Sequence, residues 1–151
     1  MDKEEIKKII EEELITLTQE DPEMQRFLLE LGCRAILQHA FKTEVQKITE
    51  FDEEGDVFGQ PGEVELDLIL KEDQVIICEI KYSVSSSDMD IFGRKITFYE
   101  QRHNRKADRT LVISPKMDEA AKQVAAELGI EVYTYAYDIN ALLGFRFIQP
   151  G

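Results

Sequence analysis

One carboxylate stands where a charge is expensive. The run Val75-Ile76-Ile77-Cys78 is apolar without a break, and Glu79-Ile80-Lys81 follows directly. A near-continuous apolar stretch of this length reads as a central strand covered on both faces. Burying an ionised side chain in such a strand is costly unless a partner charge, hydrogen bonds or a metal ion answers it. The chain must therefore fold around a sheet between two layers, with something facing Glu79. The preceding run, Glu63–Leu70 (EVELDLIL), alternates cleanly: Val64, Leu66, Leu68 and Leu70 on one face, Glu63, Glu65, Asp67 and Ile69 on the other. Lys71–Gln74 (KEDQ) is short enough to join the two runs as a hairpin. If their faces coincide, Asp67, Glu79 and Lys81 meet over one pleat.

The flanking sequence predicts the layers. Residues 3–17 carry Ile6, Ile10, Leu14 and Leu17 at helical spacing. Asp21 and Pro22 form a favoured helix start, which predicts a second helix to about Phe41. Residues 44–51 read as a roughly alternating strand, and 52–62 (DEEGDVFGQPG) as a turn region. After Lys81, Ser85–Asp88 can cap a helix over about 88–104. Residues 109–114 form a strand, 118–128 a helix ended by Gly129, and 130–136 a last strand. Residues 137–143 (YDINALL) would add a helical turn. Antiparallel strands followed by strand-helix-strand units imply an α/β fold, with a mixed central sheet flanked by helices. The chain divides into an N-terminal helical segment, 1–43, and a core, 44–151, within one domain overall. The apolar stripe of the first helix either packs on its own core or pairs with a second copy.

Charge narrows the partners. With 18 Lys plus Arg against 31 Asp plus Glu, the net charge is −13, which argues against coating nucleic acid by bulk electrostatics. The distribution is uneven, however. Residues 44–73 hold 11 acids and 2 bases, whereas 79–116 hold 8 bases and 5 acids. Arg94, Lys95, Arg102, Arg105 and Lys106 crowd that segment, and they are the expected contacts to phosphates. His103, in the same stretch, reads as a surface residue. Cys33 and Cys78 are too few for a disulfide framework and sit in apolar surroundings. No run approaches the roughly 18 apolar residues of a membrane span. The N-terminus is too acidic for a signal peptide, so the expected location is the cytoplasm.

Two carboxylates and an ammonium on adjacent strands admit a plain ion pair or a hard-cation site. Mg²⁺ takes one or two carboxylates and keeps several waters. The stretch Asp67-LILKEDQVIIC-Glu79-Ile80-Lys81 resembles the signature of the PD-(D/E)XK nuclease superfamily, the restriction-endonuclease-like fold. The wider run from Phe51 to Thr134 is similar to a group of archaeal and bacterial members. The resemblance covers roughly residues 44–135. It implies hydrolysis of phosphodiester bonds in DNA, or in RNA, assisted by Mg²⁺ or Mn²⁺. Asp67, Glu79 and the Ile80 backbone carbonyl would hold the metal, and Lys81 would serve the attacking water. Members often add an acidic residue from a preceding helix; Glu30 suits that place better than Glu44. Glu65 or Glu63, beside Asp67, is an alternative further ligand. Two departures stand out: Leu66 replaces the Pro of the signature, and the Q-x-x-x-Y helix motif of one subgroup is absent. Cutting both strands of a duplex suits two symmetric sites, so a homodimer is expected. The alternatives are a nuclease-fold protein that binds DNA or a partner protein without cutting, and a hydrolase of another phosphoester.

Overall fold

The computed structural model describes residues 2–134; the residues from 135 onward, with Tyr135, Tyr137 and the expected turn at 137–143, lie outside the described residues. Among the described residues four helices and seven strands follow in the order α1 (Lys3–Glu20), α2 (Pro22–Phe41), β1 (Val45–Asp52), β2 (Gly62–Lys71), β3 (Gln74–Ile80), β4 (Ser83–Val84), α3 (Ser86–His103), β5 (Arg109–Ile113), β6 (Lys116–Met117), α4 (Glu119–Leu128) and β7 (Glu131–Tyr133). The helix ends are set by local chemistry. Asp21 accepts from the Glu23 and Met24 amides ahead of Pro22. Ser85 and Asp88 form a reciprocal capping box at α3. Gly129 closes α4 in the left-handed conformation.

The described strands build a five-stranded sheet in the order β1-β2-β3-β5-β7, antiparallel across β1, β2 and β3 and parallel from β3 outward. This is the mixed α/β sheet with helices on both faces that the resemblance implied. One core lies under α2, where Cys33, Leu37 and Phe41 meet Ile69, Ile76, Cys78, Ile80, Leu111 and Ile113. The other lies under α3 and α4, where Met89, Phe92, Ile96, Ala121 and Ala125 meet Val64, Leu66, Leu68, Ile77 and Val112. β3 thus contributes alternate residues to both cores, as its composition predicts. β4 and β6 make a separate two-stranded parallel sheet that the sequence did not announce. In the 52–62 turn, buried Asp52 accepts from the Gly55 and Val57 amides. α1 packs on α2, and the helical pair leaves Ile6, Ile9, Ile10, Met24, Phe27 and Leu31 exposed. No helix among the described residues is long and apolar enough to cross a membrane.

Candidate active site

The β2–β3 turn decides how the carboxylates meet. Only Glu72 and Asp73 separate the paired residues Lys71 and Gln74, so odd-numbered residues of β2 stand opposite even-numbered residues of β3. Asp67 is therefore opposite Cys78, not Glu79. Alternation sends Asp67 toward α2, with Ile69 and Cys78, and Glu79 toward α3, with Ile77. The expectation of one shared pleat is corrected by this register. Alternation within each strand follows the sequence pattern; the parity of the hairpin joining them differs from it.

The two carboxylates nevertheless reach one space, because the sheet forks. The β2–β3 ladder ends at the Asp67–Cys78 pair. Beyond it β2 stays with β1 from Leu66 to Gly62, and β3 stays with β5 to Ile80. The cleft at the fork holds about 290 Å³ and is lined by Glu30, Arg34, Lys47, Glu65, Leu66, Asp67, Cys78, Glu79, Ile80, Lys81 and Lys95. Glu30 of α2 lines it, as does Glu65, which lies 3.9 Å from Lys47. Glu44 and Glu63 are exposed and do not line it.

Each central carboxylate is answered by a cation from the helix on its own side. Arg34 Nη2 donates to both oxygens of Asp67, at 3.1 and 3.0 Å, while Nη1 reaches the Val45 carbonyl at 3.5 Å. Glu30 and Arg34 are one turn apart on α2 and so share its cleft-facing side. On the other face Lys95, its side chain only 14% exposed, places Nζ 3.5 Å from Glu79 Oε1. Burial pushes the Glu79 carboxyl above its ordinary pKa, against the pull of Lys95 and Lys81. Burial also pushes the Cys78 thiol up, with the Asp67 charge adding to it, so Cys78 is no nucleophile. Lys81 lines the cleft but puts its ammonium 3.0 Å from Asp88, in the first turn of α3.

The expected phosphate track is largely neutralised within the protein. Arg94 pairs with Asp90 at 3.1 Å. Arg102 and His103 both meet Glu50 of β1. Arg105 pairs with Asp108 at 2.9 Å, and Lys106 with Glu100 at 3.5 Å. Of the five basic residues singled out from the sequence, Lys95 alone lines the cleft. Arg34 was missed, although an arginine between Cys33 and Leu37 on a helix buried on one side is itself a signal of a buried acidic partner.

The donor set suits a hard divalent ion. Asp67, Glu79, Glu30, Glu65 and the Ile80 backbone offer oxygen only. Among the described residues no three His, Cys, Asp or Glu side chains are grouped closely enough to hold a metal by themselves. An ion here would keep several waters, the habit of Mg²⁺ rather than of a closed structural site.

No curated protein matches the sequence. In structure the chain is similar to a repair endonuclease from Pyrococcus abyssi, with 14% sequence identity and a TM-score of 0.42. The match covers 82% of this chain and 45% of that one. The profile of the PD-(D/E)XK nuclease superfamily matches residues 62–131, the stretch that carries Asp67, Glu79, Lys81 and Lys95. Over that stretch, from β2 through the start of β7, the chain is similar to the PD-(D/E)XK nuclease superfamily.

Proposed function

We propose that the protein is a nuclease that hydrolyses phosphodiester bonds in DNA with the help of Mg²⁺ or Mn²⁺. The observation that carries this reading is the forked sheet, which lets Asp67 and Glu79 line one cleft from opposite faces, within a segment of nuclease-superfamily sequence. Asp67, Glu79 and the Ile80 carbonyl would hold the ion, with Glu30 or Glu65 completing its surroundings through water. When bound, the ion would neutralise phosphate charge and lower the pKa of a bound water. Lys81, tethered at the start of α3, orients the water that attacks phosphorus and offsets the charge that builds on the phosphoryl oxygens. Water oxygen bonds to phosphorus as the bond to the leaving sugar oxygen breaks, leaving a phosphomonoester and a hydroxyl.

The test is incubation of the purified protein with duplex, branched and single-stranded DNA, and with RNA, in Mg²⁺, in Mn²⁺ and in chelator. Metal-dependent cleavage lost in Asp67→Asn and in Glu79→Gln supports the reading. Cleavage that survives either substitution overturns it. A second reading is a nuclease-fold module that binds DNA or a partner protein without cutting. It is favoured by the way Arg34 and Lys95 already satisfy both carboxylates. That module takes up no divalent ion at the cleft, whereas the nuclease does.

We also infer a homodimer formed through the apolar side of α1 and the first half of α2, which would bring two clefts into one assembly.

A further inference from the structure

Resting on the reading of the cleft as a divalent-metal site, we propose that Arg34 and Lys95 are exchangeable counter-ions. They hold Asp67 and Glu79 while the metal is absent, and they turn to the phosphodiester once a divalent ion takes the two carboxylates. The cleft is lined by four acids and four bases, so it is close to neutral as it stands. Arg34 donates to both oxygens of Asp67 and so competes with a metal for that carboxylate's charge. Lys95 faces Glu79 at 3.5 Å from the opposite side of the sheet.

A divalent ion on these carboxylates repels both cations and strips them of their partners. Neither has an easy escape to water: the Lys95 side chain is 14% exposed and that of Arg34 is 25% exposed. A desolvated, unpaired cation is costly, so the loaded cleft calls for an anion. A phosphodiester answers that call, since the guanidinium fork matches phosphate oxygens and an ammonium serves as a point charge beside it. The neighbouring basic residues of α3 and the turn after it, Arg94, Arg102, Lys106 and Arg105, are engaged by Asp90, Glu50, Glu100 and Asp108. Arg34 and Lys95, rather than the other bases of that segment, thus become the receptor for the phosphate at the scissile position. Metal and nucleic acid then bind with mutual reinforcement, each raising the affinity for the other. In the absence of nucleic acid, Arg34 and Lys95 compete with the metal.

The experiment reads metal binding directly. Chelator-treated full-length protein is titrated with Mn²⁺ in a calorimeter as wild type, Arg34→Met, Arg34→Lys and Lys95→Met, each shown to be folded by circular dichroism. Arg34→Met is expected to bind Mn²⁺ about thirtyfold tighter than wild type, and Lys95→Met, whose contact is longer, about fivefold tighter. Arg34→Lys, which keeps the charge, falls between. A short fluorescent DNA duplex is then titrated in chelator and in Ca²⁺. Wild type gains affinity with Ca²⁺, and Arg34→Met loses most of that gain. Mn²⁺ affinity that is unchanged or weaker in both Arg34→Lys and Lys95→Met overturns the exchange while leaving the metal site standing. Wild type that takes up no Mn²⁺ overturns the metal site and the exchange together.

Discussion

The Arg34–Asp67 pair lends itself to a double-mutant cycle, because both partners are half-buried and their geometry is good. The two contacts are 3.1 and 3.0 Å, and the side chains are 25% and 13% exposed. Two unit charges in contact attract by about 1 kcal/mol in water and by about 4 kcal/mol at an effective dielectric constant of 20. Desolvation takes back part of that gain. A coupling of about 2 kcal/mol between Arg34→Met and Asp67→Asn follows, larger than the 0–1 kcal/mol typical of exposed pairs. Arg34→Met alone is the more damaging change, at about 3 kcal/mol, since it leaves Asp67 facing the α2-side core without a counter-ion. Urea unfolding of the wild type, both single variants and the double variant in chelator measures the cycle, provided the four share one slope against urea. A coupling below about 0.5 kcal/mol would mean that the pair does not hold in solution. Repeating the cycle in saturating Mn²⁺ should shrink the coupling, because Asp67 then has another partner.

Other consequences follow from separate parts of the molecule. The exposed Phe27 and Leu31 are one turn apart on α2, so Phe27→Glu with Leu31→Glu should convert a dimer to a monomer in sedimentation at micromolar concentration; a wild type already monomeric there removes the dimer. Asp52 and Asp108 have depressed pKa values, mainly because each accepts from a backbone amide, of Val57 and of Val75 respectively. The stability they lend is therefore complete above the ordinary carboxyl range, and it is lost as pH falls through their folded values, below about pH 4. The urea midpoint should drop on acidification from about pH 5 to about pH 3, and Asp108→Asn should flatten that drop; an equal slope in the variant would exclude Asp108 as a source. Gly55→Ala forces a side chain into a backbone with φ of +71° and puts Cβ 2.9 Å from the Gln60 backbone, so it should destabilise by about 1–3 kcal/mol. A melting temperature equal to that of the wild type would refute this account of the turn.

What the sequence could announce was mostly local or periodic. Asp21 with Pro22, Ser85 and Gly129 mark their helix ends through contacts with near neighbours in the chain. The two-sided burial of β3 was written in its composition. The hairpin parity was also within reach of counting, because a two-residue turn fixes which strand positions face each other. Other features depend on residues that arrive from far along the chain. Arg34 and Asp67 are brought together across 33 positions. Glu50 of β1 claims both Arg102 and His103, so a cluster of bases in sequence became a set of ion pairs in space. β4 and β6 are two residues each, too short to carry any periodicity.

The central proposal is that Asp67 and Glu79 would share one hard divalent ion across the fork between β2 and β3. Anomalous diffraction from crystals soaked in Mn²⁺ tests it most directly. The account predicts a peak in the cleft within about 2–2.5 Å of carboxylate oxygens from both residues, with Arg34 turned away from Asp67. A map with no peak there, or with the ion bound to only one of the two carboxylates while Arg34 still holds Asp67, would contradict it.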